Sequence, residues 1–193
     1  SGINLLGLNK YHRKISLTGA QYINTDIFKA TKPVENRENL VGYIARFEPR
    51  KGILNFVRAI PLVLKELDNT RFFIAGHGLL DEEIKQFLKT NNLEQQVKLT
   101  GWIAWEEFPH TLNELKCYVL PSYEEGLPGT VQQAMACGAV VLATRVGGVP
   151  DLIRDSETGF ILADNSPETI AEGIINALRH DKLTEIVQNA CRL

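Results

Sequence analysis

Cysteine is scarce in this chain of 193 residues, which has three, Cys117, Cys137 and Cys191. No two of them stand at the C-x-x-C spacing that zinc sites and redox motifs use, which argues against both. Cys117 lies in an apolar run and Cys137 follows a helical one. We therefore expect small buried thiols in a reducing, cytoplasmic compartment.

An excess of charge and long apolar runs are also missing. Twenty-one Lys and Arg face 23 Asp and Glu, for a net charge of -2, so we expect no nucleic-acid partner and no broad binding to anionic lipid. The longest apolar runs, such as GAVVLA at 138–143, are too short to cross a bilayer. No segment has the layout of a signal peptide. Peripheral contact of the full-length protein with the inner membrane face stays open.

Several motifs of familiar chemistry are absent. The chain has no G-x-x-x-x-G-K-[ST] and no G-x-S-x-G, which removes support for a P-loop and for a hydrolase triad. Gly76 and Gly78 do not extend to G-x-G-x-x-G, because Asp81 stands at the last position. No D-x-D pair is present to hold a metal ion on a diphosphate. We predict no metal site and no bound cofactor.

From residue 39 onward, strand-like and helix-like segments alternate. Several strands, such as CYVL and AVVLA, are apolar throughout, which is typical of parallel strands covered on both faces. The sequence predicts an α/β fold, a Rossmann-like parallel sheet with helices on both faces. Pro61 and Pro109 each raise the alternative of a kink or a break. The predicted strands are 39–45, 71–76, 96–101, 117–122, 139–144 and 159–162, and the predicted helices are 51–67, 79–92, 104–115, 128–138, 149–155 and 166–181.

Residues 1–37 fit this alternation poorly, and we interpret them as a connecting or hinge segment, with the domain itself at 38–193. One strand is predicted over 14–23, followed by a turn and a polar connection. Ser1 and Gly2 resemble a tag remnant, and NACRL at the other end lacks a helix stop signal. We expect that the chain is a domain taken from a longer protein.

Ligands of such sheets bind in loops beyond the carboxyl ends of the strands. The loop ARFEPRKG (45–52) places Arg46, Arg50 and Lys51 just ahead of a predicted helix. A helix start favours anions, and added cations there indicate a diphosphate clamp. The alternative is a group of solvated surface cations.

A second loop carries Glu124 and Glu125 ahead of a helix that starts near Pro128. Gln133 stands about five residues into that helix, or roughly 7.5 Å along its axis. This separation suits two polar groups that hold opposite ends of one extended ligand, and Gly126 allows the backbone close to it. The alternatives are complementation of the helix dipole by the acids and an exposed Gln133.

These residues stand in motifs that resemble a known family. PSYEEGLPGTVQQAMACG (121–138) resembles the donor-site signature of retaining glycosyltransferases with the GT-B fold, which include glycogen and sucrose synthases. That signature is Pro-Ser, then Glu-x7-Glu within Glu-Ala-Met-Ala-x-Gly. ARFEPRKG resembles the family's G-R-[LF]-x-x-x-K-G, with Ala45 in place of the first glycine. FFIAGHG, VKLTGWI, ATRVGGVPDLI and INTDIF match further landmarks, so that the resemblance covers about residues 20–180 in the expected order.

The resemblance implies a role for each matching position. Arg46 and Lys51 would hold the donor diphosphate and offset its charge as the leaving group departs. Glu125 would contact hydroxyls of the transferred sugar. Other positions would bind the rest of a UDP-, GDP- or ADP-sugar co-substrate: Gln133 the ribose, the N–H groups of Gly126 and Leu127 the sugar and phosphate, Gly101 to Ile103 the base, with Gly76 in a neighbouring landmark. The family needs no metal.

Two departures limit what the resemblance implies. Gln133 replaces the family's second glutamate, and a neutral acceptor should bind ribose about fivefold more weakly than a carboxylate. Family members also carry an N-terminal acceptor domain. We expect this chain to hold only the donor domain, and therefore to bind the donor without transferring the sugar. The acceptor would be a saccharide or a lipid-linked sugar. Two alternatives stay open: a non-catalytic nucleotide- or partner-binding module, and a GT-B-type sugar-nucleotide epimerase with His77 as its acid or base.

Overall fold

The computed structural model describes residues 22–193. Most of the strand predicted over 14–23 lies outside the described residues. Within residues 22–193 the chain forms six strands and seven α-helices, and all of these except the last helix follow the predicted alternation. The strands are β1 (Leu40–Ile44), β2 (Arg71–Ala75), β3 (Val97–Thr100), β4 (Cys117–Leu120), β5 (Val140–Thr144) and β6 (Phe160–Leu162). The helices are α1 (Ile53–Glu66), α2 (Asp81–Thr90), α3 (Phe108–Glu114), α4 (Gly129–Ala136), α5 (Val149–Leu152), α6 (Pro167–Leu178) and α7 (Leu183–Ala190).

The strands form one parallel sheet in the order β3-β2-β1-β4-β5-β6. This arrangement confirms the predicted Rossmann-like fold. The strand order reverses between β1 and β4, where Val41 pairs with Cys117. In doubly wound sheets the crevice beyond the carboxyl ends of such a strand pair is the usual ligand position.

The uninterrupted apolar composition of the central strands is explained by burial on both faces. Along β4, Cys117 and Val119 belong to one hydrophobic cluster, whereas Tyr118 and Leu120 belong to the other. Alternate side chains of a strand point to opposite faces, so each face of the sheet needs its own helical cover. Helices α1 and α6 cover the first face, and α3 and α4 cover the second.

Helix boundaries follow the local signals. The Ser166 hydroxyl accepts a hydrogen bond from the Thr169 N–H at 3.3 Å, as expected for the start of α6. Helix α1 continues through Pro61 without a break. Pro109 lies in the first turn of α3, where its missing N–H has no helical partner to lose. Neither proline therefore interrupts a helix.

Cysteine burial agrees with expectation at two of the three positions. Cys117 and Cys137 are buried free thiols, and Cys191 is exposed. Cys191 differs because it follows the last helical residue of α7, at the edge of the domain.

Residues 28–37 pack against the sheet domain. Phe28 and Val34 are buried, and Asn113 of α3 accepts a hydrogen bond from the Thr31 N–H at 2.7 Å. Arg37, only 3% exposed, donates to the carbonyls of Lys32, Leu115 and Cys137 at 2.8, 2.7 and 2.7 Å. The division between hinge and domain at 37/38 stays a prediction.

Arg37→Ala is expected to destabilise the domain by about 3 kcal/mol or more, because it leaves several buried carbonyl groups without a donor. A loss of this size lowers Tm by roughly 6–12 °C. Thermal unfolding measures it, with Arg58→Ala as the control, since the ion pair of Arg58 with Glu83 is long, at 3.7 Å, and exposed. Equal Tm losses in the two variants would contradict the expectation.

Candidate functional site

An open cavity of about 570 Å³ lies at the carboxyl edge of the sheet, where β1 and β4 are neighbours. Its volume falls within the range of small-molecule sites. The loops after β1, β3 and β4 and the first turns of α4 form its walls. The lining residues are Ile44, Ala45, Arg46, Lys51, Trp102, Ile103, Trp105, Phe108, Leu120, Glu125, Leu127, Pro128, Gly129, Thr130 and Gln133.

A lysine–glutamate pair joins the two loops that the sequence singles out. Lys51 Nζ lies 2.7 Å from Glu125 Oε1, and the two side chains are 15% and 7% exposed. The Ser122 hydroxyl donates to the same oxygen at 2.7 Å. Among the described residues no hydrogen bond ends on Glu125 Oε2. The lysine also keeps two further N–H donors, so both groups can still contact a ligand.

Glu48 joins the other two cations of the loop. Its Oε1 lies 3.0 Å from Arg46 Nη1, and its Oε2 accepts a hydrogen bond from Arg50 Nε at 2.7 Å. The hydrogen bond from Arg50 is the main reason why the pKa of Glu48 is lowered. Arg46 lines the cavity, whereas Arg50 lines a smaller neighbouring pocket and reaches Glu124 at 3.8 Å.

The loop that carries Glu125 is supported from the far side by Gly147. Gly147 has a φ of 55°, and a methyl group on its Cα would overlap the carbonyl of Glu125. The next residue, Gly148, donates its N–H to the carbonyl of Gly126 at 2.6 Å. Only glycine combines this backbone conformation with so close an approach. The two glycines of ATRVGGVPDLI therefore hold the acidic loop in place.

Aromatic side chains form part of the cavity wall. Trp102 and Trp105 are 61% and 56% exposed, although both are large and apolar. The ring of Trp105 lies edge-on to Phe28 at 5.3 Å and is tilted against Phe108 at 6.4 Å. Exposed aromatic rings in the wall of a cavity provide flat surfaces on which a ring of a ligand can stack.

The comparison with protein families now identifies the chain. The family model described as Glycosyl transferases group 1 matches residues 24–192. The chain belongs to this family. An uncharacterized glycosyltransferase of Methanocaldococcus jannaschii is 30% identical over 141 residues, which are 73% of this chain and 38% of that protein.

Solved structures agree with the assignment. The C-terminal domain of a group 1 glycosyl transferase, LpcC, from Francisella tularensis superposes with a TM-score of 0.78 at 25% identity, covering 89% of this chain and 95% of that one. Anabaena HepE, solved with UDP-glucose, gives a TM-score of 0.77 at 22% identity, covering 88% of this chain and 50% of that one. The protein is thus a GT-B-type glycosyltransferase domain, and it spans well under half of the length of the M. jannaschii relative.

In this glycosyltransferase domain the residues predicted for the site fall into two groups. Arg46, Lys51 and Glu125 meet in one cavity, together with Gln133, Leu127 and Ile103. The predicted position of Gln133, about five residues into its helix, agrees with the structure, since Gln133 is the fifth residue of α4. The roles that the resemblance assigns to these side chains stay predictions.

Three predicted glycines do not line the cavity. Gly126 follows Glu125, and a methyl group on it would meet open space. Gly101 packs against the ring of His77, and Gly76, with a φ of 143°, packs against the carbonyl of Ala45. Packing of the chain alone accounts for glycine at position 76, and ligand contacts of these three glycines stay predictions.

His77 lies outside the cavity lining of the glycosyltransferase domain. Its Nδ1 is 2.9 Å from Asp81 Oδ2, and its ring is 6.5 Å from that of Trp102. The hydrogen bond from His77 is the main cause of the lowered pKa of Asp81. This position gives the epimerase hypothesis no support.

The sequence reasoning missed Trp105 and Ser122 as site residues, and Trp102 fell within the range assigned to the base, Gly101 to Ile103, without being singled out. A signal for the tryptophans was available, because both tryptophans of the chain follow β3 in a loop that the carboxyl-end rule selects. In the part of the chain that the structure describes, no group of three His, Cys, Asp or Glu is arranged to hold a metal ion. No helix within residues 22–193 has the length and hydropathy of a membrane span.

Proposed function

We propose that this domain binds a nucleotide-diphosphate sugar in the cavity and serves a retaining, metal-independent transfer of the hexose to a saccharide or lipid-linked sugar. The observation that carries the proposal is the contact of Lys51 with Glu125 at 2.7 Å, at the strand pair where the sheet order reverses. A cation suited to a diphosphate and a carboxylate suited to sugar hydroxyls are thereby adjacent. In a nucleotide-diphosphate sugar the diphosphate and the sugar are also adjacent, so each can meet its matching side chain.

The cations then act at the moment when the bond to the sugar breaks. In this proposal the departing diphosphate gains negative charge, and Arg46 and Lys51, which both line the cavity, offset that charge without a metal ion. Glu48 forms an ion pair of 3.0 Å with Arg46 beside the cavity. The exposed aromatic wall gives the base of the nucleotide a stacking surface.

Transfer needs more than this chain in our proposal. The chain covers only 38% of the M. jannaschii relative and 50% of HepE, so we propose that a second domain supplies the acceptor site. We expect the full-length polypeptide to transfer sugar and the 193-residue chain to bind donor only. We propose a cytoplasmic location for both. Full transfer by the isolated chain would show that the second domain is not needed.

A thermal-shift screen of UDP-, GDP- and ADP-sugars tests the proposal. A ligand at 100 times its Kd stabilises a protein by about 2.7 kcal/mol, which raises Tm by roughly 5–10 °C for a domain of this size. We expect one base to give such a shift. If none of the three nucleotide sugars binds at millimolar concentration, the proposal is wrong. If the full-length protein binds a donor but shows no turnover, a non-catalytic binding module is favoured instead. That alternative is suggested by Gln133, which stands in the cavity in place of the family's second glutamate.

Gln133→Glu tests the position where the chain departs from its family. We expect the change to tighten nucleotide binding about fivefold, because a carboxylate accepts from both ribose hydroxyls and forms charged hydrogen bonds. Isothermal titration with the nucleotide from the screen measures the effect. Gln86→Glu adds the same charge on an exposed face of α2 and serves as the control. Weaker binding by Gln133→Glu would mean that the side chain faces a phosphate or another anion.

A further inference from the structure

The hydroxyl of Tyr43 reaches both ends of the cationic loop. Tyr43 lies in β1 and is fully buried. Its hydroxyl oxygen is 3.2 Å from the carbonyl oxygen of Lys51 and 3.4 Å from that of Arg46. One side chain beneath the loop thus contacts the backbone of both cations that line the cavity.

The middle of the same loop is held from another direction. Phe47 is buried, its N–H donates to the carbonyl of His77 at 3.0 Å, and its carbonyl accepts from the Leu80 N–H at 3.2 Å. The loop after β2 therefore fixes the centre of the segment.

At the other end of the loop the Lys51 N–H donates to the Glu48 carbonyl at 3.0 Å, and the Arg50 carbonyl accepts from the Tyr123 N–H at 2.8 Å. The Lys51 carbonyl differs, because within residues 22–193 it accepts a hydrogen bond only from Tyr43.

The ring of Tyr43 does not need its hydroxyl to stay in place. It packs against Phe56 with ring centres 5.4 Å apart and against Phe47 at 6.4 Å. Burial raises the pKa of Tyr43 well above its ordinary value, so the group stays a neutral donor. Removal of the oxygen alone should leave the aromatic packing intact and release the Lys51 carbonyl.

We propose that Tyr43 is a positioning residue for donor binding, whose hydroxyl donates to the Lys51 carbonyl, with the Arg46 carbonyl as a longer second contact, so that both cations face the diphosphate. The inference rests on the proposed function, since it assumes that these cations bind the diphosphate. The single ammonium group of Lys51 has to contact both Glu125 and a phosphate. A shift of its backbone therefore moves its ammonium group relative to both.

Tyr43→Phe tests the proposal, with inorganic pyrophosphate as a probe that does not depend on the base. We expect the variant to bind pyrophosphate two- to tenfold more weakly than the wild type in calorimetric titration, the range of one neutral hydrogen bond. Amide hydrogen exchange at residues 46–52 should accelerate, while exchange in α2 stays unchanged. Tyr123→Phe is the matched control, since its hydroxyl accepts from Asn55 at 3.0 Å outside the cavity. We expect that variant to bind like the wild type.

The outcomes separate this inference from the proposed function. If Lys51→Ala loses pyrophosphate binding and Tyr43→Phe binds like the wild type, the positioning role is wrong and the proposed function stands. If the wild type binds neither pyrophosphate nor any of the three nucleotide sugars, both fail. A lower Tm for Tyr43→Phe with unchanged affinity and unchanged exchange in the loop shows a purely structural role and also overturns the inference.

Discussion

Lys51→Ala is expected to weaken the binding of a nucleoside diphosphate by roughly ten- to hundredfold, the range of one hydrogen bond to a charged group. Lys51 is only 15% exposed and lines the cavity, so its charge is screened less than that of a surface lysine. The substitution also leaves the Glu125 carboxylate without its cation. The uncompensated carboxylate then repels the diphosphate, which adds to the loss.

Isothermal titration of the 193-residue chain with the diphosphate of the base from the screen measures this effect. Lys85→Ala is the matched control, because it removes an ion pair of the same length, 2.7 Å to Glu82, on an exposed helix face. We expect that control to bind like the wild type. Thermal unfolding of each variant, without ligand, separates lost affinity from lost folding. Equal Kd values for the wild type and Lys51→Ala would remove Lys51 from the donor site.

The fold could be predicted because its central strands are apolar throughout. β1, β4 and β5 are short, apolar and separated by helical periodicity, and only a parallel sheet covered on both faces buries such strands. Helix α7 was missed. Its apolar residues Leu183, Ile186 and Ala190 are buried at helical spacing, but the sequence after it has no stop signal. Contacts with the turn at Val34–Asn36, far away in the chain, help to define this helix.

The site could be predicted to the level of loops, because parallel strands bring their carboxyl ends to one edge. That rule placed Lys51 and Glu125 in a shared cleft. The rule could not show that Arg50 and Lys51, which are adjacent in the sequence, face different pockets. Residues Pro49–Lys51 form a 3₁₀ turn, in which successive side chains point about 120° apart. Lys51 therefore points to Glu125, whereas Arg50 points to Glu48 and the neighbouring pocket.

The hydrogen bonds that buried hydroxyl groups donate to the site could not be predicted from the sequence. Ser122 and Tyr43 contact the site through single oxygen atoms whose direction depends on the packing around them. In the sequence Tyr43 is only another apolar strand residue. Its relation to Lys51 becomes visible once the loop has a three-dimensional path.

Glu125→Gln is expected to affect the two halves of the donor in opposite directions. The amide cannot accept hydrogen bonds on both atoms and carries no charge, so the contribution of the sugar to binding should be lost. Lys51 is released from its ion pair at the same time and becomes free for the phosphates. We therefore expect equal or tighter binding of the nucleoside diphosphate, and no remaining advantage of the nucleotide sugar over it.

In the full-length polypeptide the same variant should slow cleavage of the nucleotide sugar by on the order of a hundredfold, the effect of removing one preorganised polar contact to the sugar that reacts. Calorimetry with both ligands and the rate of nucleotide release measure the two effects. Glu124→Gln changes the neighbouring carboxylate, which is exposed and 3.8 Å from Arg50, and should leave all three values near those of the wild type. Loss of affinity for the nucleoside diphosphate in Glu125→Gln would contradict the assignment of Lys51 to the diphosphate and Glu125 to the sugar. Glu125 would then act by holding Lys51 in position and not by binding the sugar.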